Sequence, residues 1–96
     1  MYIVSLHYAA ALEAIDALIP EHVRWLEAAY ADGLFLASGR KVPRSGGIIL
    51  ARAMPRAELE QRLAQDPFSR HGVADYSITE FVPSMTSPAL ACLQEN

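Results

Sequence analysis

"LFLASGRKVPRSGGIILAR", residues 34–52, consists of two short apolar runs around a polar loop that contains proline. The runs Leu34–Arg40 and Gly46–Arg52 are rich in Leu, Ile and Phe, and "KVPRS" joins them. Runs of this length bounded by Gly, Pro and Ser read as strands, and so short a connection makes them an antiparallel hairpin. Gly46 and Gly47 permit a tight entry and close strand approach and do not form a phosphate-cradling motif.

The segments on either side of this hairpin decide the fold. Upstream, "YIVSLHY" (2–8) is a β-branched and aromatic strand, with Tyr2, Val4, Leu6 and Tyr8 on one face and Ile3, Ser5 and His7 on the other. "ALEAIDALIPEHVRWLEAAYADG" (11–33) follows with helical periodicity, its stripe running through Leu12, Ile15, Leu18, Ile19, Val23, Leu26, Ala29 and Tyr30. Pro20 interrupts the stripe and predicts a short helix, then a longer one with Pro20 in its first turn. Gly33 suits the C′ position. Downstream, "MPRAELEQRLAQD" (54–66) predicts a second helix and "ADYSITEFVP" (74–83) a last strand, and the tail has room for one more helical turn. The order βαββαβ is the ferredoxin-like arrangement, an α+β fold with a four-stranded antiparallel sheet and both helices on one face.

Ninety-six residues can bury one modest core, so the chain reads as a single domain over 1–96, with its core in about 1–83 and a C-terminal tail at 84–96. A net charge of −3 offers no basic footprint for nucleic acid. The lone Cys92 permits no internal disulfide and fits a reducing cytoplasm. No basic region precedes an apolar stretch at the start, and no run reaches membrane-spanning length, so a cytoplasmic protein without membrane association is expected. Two helices cover only one side of the sheet. Apolar residues drawn from Tyr2, Ile3, Val4, Leu34, Phe35, Ile48, Ile49, Ile78 and Phe81 must remain on the other, which predicts a homodimer packed sheet to sheet.

The candidate site starts from "LAQDPFSRHG" (63–72), where a helix ends at an acid, although helix C-termini favour cations. Asp66 lies three residues after Leu63 and seven after Leu59, on the inward side of that helix. His22 lies one turn before Leu26, on the inward stripe of the first helix. A buried carboxylate needs a partner, and His22 is the best candidate in the chain. Three roles stay open for Asp66: a structural contact with His22, an N-cap for "DPFSRHG" with Pro67 at N1, or the orienting member of a His–Asp catalytic pair. An imidazole so held suits proton transfer near neutral pH.

Ser38, beside Gly39, is placed to offer a hydroxyl to the same cleft, but the G-x-S-x-G sequence of a nucleophile elbow is missing. Arg40, Lys41 and Arg44 read either as a solvated loop or as a clamp for a carboxylate or phenolate. His7 ends the first strand near the cleft mouth and is carried as a lining residue. Trp25 reads as core edge or interface, and His71 has no companions at metal-ligand spacing. Neither a metal nor a cofactor is therefore expected.

"EHVRWLEAAYADGLFLASGRKVPRSGGIILA" followed by "LAQDPFSRHGVADYSITEF" resembles the YCII-related domain proteins over residues 1 to about 83. The resemblance implies a dimeric α+β barrel and a cleft whose proposed catalytic His and Asp correspond to His22 and Asp66. It also implies kinship with muconolactone isomerase and with a dehydrochlorinase of a chlorinated hydroxyquinol. Arg40 departs from the Pro that many members carry after the Ser-Gly pair. Two functions are expected from this: a cofactor-free lyase or isomerase acting on a small, oxygenated, cyclic acid, or a non-catalytic dimer that binds a small anionic ligand or serves a regulatory role.

Overall fold

In the computed structural model, which describes residues 1–94, seven elements follow in order: β1 (Tyr2–Tyr8), α1 (Leu12–Ala31), β2 (Phe35–Arg40), β3 (Gly46–Ala51), α2 (Arg56–Ala64), α3 (Pro67–Arg70) and β4 (Ala74–Glu80). A 3₁₀ segment, Pro88–Leu93, closes the tail. The sheet is antiparallel with strand order β2-β3-β1-β4, the ferredoxin-like topology.

Register fixes which side chains meet the helices. Val4 pairs with Ile49 and Ile78, and Leu6 with Gly47 and Tyr76, so these residues share the helix-covered face. Strict alternation would put Phe35, Ala37 and Gly39 of β2 on one face together. Instead a bulge between Phe35 and Ala37 brings both Phe35 and Ser38 to the helix side, opposite Ala51 and Ile49. Phe35 can therefore enter the core while Ser38 and Arg40 point towards a cleft. Gly46 has no room for a side chain, since a Cβ there would lie 1.8 Å from the Leu6 carbonyl oxygen.

Helix α1 differs from the expected pair of helices. It runs unbroken through Pro20, whose exposed position leaves the freed carbonyl of the preceding turn open to water. Its end is as expected: Gly33 takes φ +73°, while the Gly33 and Leu34 amides donate to the Tyr30 and Ala29 carbonyls. The buried stripe is Ile15, Trp25 and Ala29, with Leu18 and His22 half-buried between them, while Leu12, Val23 and Tyr30 are more exposed than the apolar pattern suggested. Trp25 is core rather than core edge, and its Nε1 donates to the Arg62 carbonyl at 3.0 Å, satisfying an end group of α2.

The sheet face away from the helices carries half-buried Ile3, Ile48 and Leu50 beside Ser5, Ser77 and Thr79. The other strand candidates for that face, Tyr2, Val4, Phe35, Ile49 and Ile78, belong to the core or pack against it.

Candidate active site

One turn of chain explains the acid at the end of α2. Asp66 is not the last residue of that helix but the N-cap of α3: its Oδ1 accepts from the Phe68 amide at 3.1 Å, with Pro67 at the first helical position. Gly72, at φ +65°, ends α3 after that single turn. The turn aims Asp66 inward, where it is fully buried, and lays Phe68 against the core.

Three donors converge on this carboxylate. Besides the Phe68 amide, His22 Nδ1 lies 2.7 Å from Oδ1, and the Tyr76 hydroxyl donates to Oδ2. A carboxylate only accepts, so the His22 nitrogen facing it carries the hydrogen, and among the described residues Nε2 is left uncommitted. The imidazole is stacked on Phe68, centroids 4.0 Å apart and planes within 6°, with Trp25 tilted against it at 5.6 Å. One hydrogen bond and two aromatic contacts thus fix the ring. Burial pushes the Tyr76 phenol well above the usual tyrosine range, and its bond to Asp66 and that residue's charge push it further, while the Ser69 backbone acts the other way. A folded-state value above the unfolded one means that the stability Tyr76 contributes is complete below about pH 10 and is lost as pH rises beyond it. Urea unfolding of wild type and Tyr76→Phe should accordingly show a stability gap that narrows above pH 10 with the slope of one proton. A gap that widened there would contradict this assignment.

His22 lines a cleft of about 500 Å³ between α1, the sheet and the hairpin loop. Its floor is apolar, with Leu6, Leu26, Ile49 and Phe68, and its polar groups are Asp16, Ser38, Arg40 and Arg44. Arg44 is held by Asp16 at 2.5 Å and lies 5.9 Å from the Tyr8 ring centroid. No ion pair engages Arg40 among the described residues. The cleft therefore presents one compensated and one uncompensated guanidinium in a chain of net charge −3. Ser38 shares a 2.7 Å hydrogen bond with the Tyr30 hydroxyl, and none joins it to His22 among the described residues, so its position suits ligand binding better than nucleophilic attack.

The cleft thus brings together His22, Ser38, Arg40 and Arg44, with Asp66 bonded behind His22. His7 is a correction. Leu6 and Tyr8 line the cleft, so the alternation of β1 turns His7 to the opposite face, where it is exposed. Lys41 also lies outside the lining. Tyr76, Tyr8 and Asp16 were missed. Tyr76 carried a readable signal, a tyrosine on the face that β4 shares with Ile78, but placing it beside Asp66 requires the strand register. Among the described residues no group of three or more His, Cys, Asp or Glu is arranged to hold a metal, and no helix is long and apolar enough to cross a membrane.

Fold and cleft define a ferredoxin-like α+β protein with an imidazole–carboxylate pair, its imidazole lining an open cleft. The chain belongs to the YCII-related domain family, whose sequence model matches residues 1–82. No curated protein matches it. Its fold is similar to that of 5-chloro-2-hydroxyhydroquinone dehydrochlorinase from Burkholderia phenoliruptrix AC1100, solved in complex with 2,5-dihydroxybenzoquinone. The TM-score is 0.72 and the identity 15%, over 86% of this chain and 95% of that one.

Proposed function

We propose that the protein is a small acid–base enzyme of the lyase or isomerase type, acting without a cofactor on a small, cyclic, oxygenated acid. His22 is the general base, through Nε2, and Asp66 orients it. The carrying observation is the pairing of His22 Nδ1 with a fully buried carboxylate while the same ring lines a cleft holding two arginines. The apolar floor suits a planar ring, and Arg40 suits the negative charge that develops on a ring oxygen as the proton leaves. In an elimination, the electron pair freed by the base expels a leaving group; in an isomerisation, the same proton returns at another atom. The fold neighbour's chlorinated hydroquinone is the natural first probe. Chloride release by wild type and not by His22→Ala supports the reading, and equal release by both contradicts it.

The anion is read by Arg40 in this account, and Arg40→Ala should weaken binding of 2,5-dihydroxybenzoquinone on the order of 10-fold to 100-fold, as loss of a charge-assisted hydrogen bond does. Lys41→Ala, outside the cleft lining, should leave it unchanged in the same calorimetric titration. Equal losses in the two variants would assign the effect to general loop charge.

The working form is a homodimer in the cytoplasm, paired through the face that carries Ile3, Ile48 and Leu50. Supporting this is the half-apolar character of the sheet face turned away from α1, α2 and α3. Sedimentation velocity at micromolar concentration should give twice the chain mass, and a species of single chain mass alone would contradict it.

A further inference from the structure

We propose that Tyr76 is a positioning residue that lets His22 remain uncharged beside a buried carboxylate, and so keeps Nε2 free to accept a proton. A fully buried Asp66 has to be compensated, either by an opposite charge or by hydrogen-bond donors. Were the imidazole to provide the charge, it would already hold the proton that a base must take up. The structure supplies neutral donors instead: the Phe68 amide on Oδ1 and the Tyr76 hydroxyl on Oδ2. Both oxygens are therefore engaged independently of the charge on His22. Tyr76 does not line the cleft, so its effect on the chemistry passes through Asp66.

The other charged groups around the pair leave this task to Tyr76. From α1, Asp16 is engaged by Arg44 of the hairpin loop. From β2, Arg40 lines the cleft, and from α3, Arg70 is exposed. None of them bonds to Asp66 among the described residues. Among the described residues β4 alone contributes a side chain to Oδ2, because its register with β1 sets Tyr76 beside Leu6 on the helix face. A phenylalanine there would keep the ring and leave a buried carboxylate oxygen short of a donor. A proton on His22 is then the nearest source of compensation.

The inference deepens the reading of His22 as the base, yet its readout is the ring nitrogens themselves. A protein that binds without catalysing would leave the result intact. The test is ¹⁵N NMR of the histidine side chains through a pH titration, with exposed His7 and His71 as internal controls among the chain's three histidines. In wild type, Nδ1 should carry its hydrogen throughout the titration, and Nε2 should be bare above the transition. In Tyr76→Phe, the pH at which both nitrogens become protonated should rise by about one unit or more, with the two controls unmoved. Site-specific 3-fluorotyrosine at position 76, which keeps ring and hydroxyl and strengthens the donor, should move it downward, and this arm decides the matter if the phenylalanine variant does not fold. A purely structural bond would lower the melting temperature and leave the His22 transition where it is. An unmoved transition in the folded variant overturns the proposal.

Discussion

Asp66→Ala should cost on the order of 3–5 kcal/mol of folding stability, because one substitution strands three donors. His22 Nδ1, the Phe68 amide and the Tyr76 hydroxyl all lose their acceptor, and each buried unsatisfied group costs about 1–3 kcal/mol. Loss of the α3 N-cap is contained in the same set of bonds. Partial entry of water keeps the total below the simple sum. Against a typical domain stability of about 5–15 kcal/mol, the variant should be near its unfolding threshold at physiological temperature. Asp16→Ala makes the contrast: it breaks the Asp16–Arg44 pair, but that carboxylate is 57% exposed, and such pairs contribute about 1 kcal/mol or less. Urea unfolding of the two variants side by side is the check. A loss below about 1 kcal/mol for Asp66→Ala would mean that the carboxylate is not the acceptor on which this corner of the fold converges.

Asp66→Asn separates the fold from the chemistry. Asparagine keeps the shape but has one carbonyl oxygen for two positions, and the Phe68 amide and His22 Nδ1 share the Oδ1 one. With the oxygen there, the cap and the imidazole bond both persist and the amide nitrogen faces the Tyr76 hydroxyl; with the nitrogen there, the cap is lost and the imidazole hydrogen is driven to Nε2, the position that has to accept a proton. In either orientation the negative charge that stabilises the imidazolium is gone. The same change in a Ser-His-Asp triad lowers turnover by about 10⁴-fold, and a loss of about 10³–10⁴-fold is expected here. Turnover of 5-chloro-2-hydroxyhydroquinone, or of another ring acid that the wild type converts, is the measurement. Activity within about 10-fold of wild type would remove Asp66 from the chemistry and leave it as a cap.

Much of this was legible from period and punctuation. The Leu34–Arg52 hairpin, the inward positions of His22 and Asp66, and the capping role of Asp66 follow from spacings within single elements, where the chain's own geometry does the work. Features that depend on a second element were not legible. A bulge beside Leu36 decides that Ser38 and Arg40 face the cleft, and nothing in "LFLASGR" marks it. Tyr76 reaches Asp66 only through the β1–β4 register, ten residues along the chain. His7 lies near a strand end beside the cleft, but the alternation of β1 turns its side chain to the opposite face. Pro20 locally favours a first turn, and the packing of Ile15, Trp25 and Ala29 on the same helix overrides that preference.

A crystal structure with 2,5-dihydroxybenzoquinone bound should show the ring against Leu6, Leu26, Ile49 and Phe68, one of its oxygens within about 3 Å of His22 Nε2, and an anionic oxygen on the Arg40 guanidinium. A ligand bound elsewhere, or one in the cleft with His22 Nε2 turned away from it, would contradict the assignment of His22 and Asp66 as the working pair.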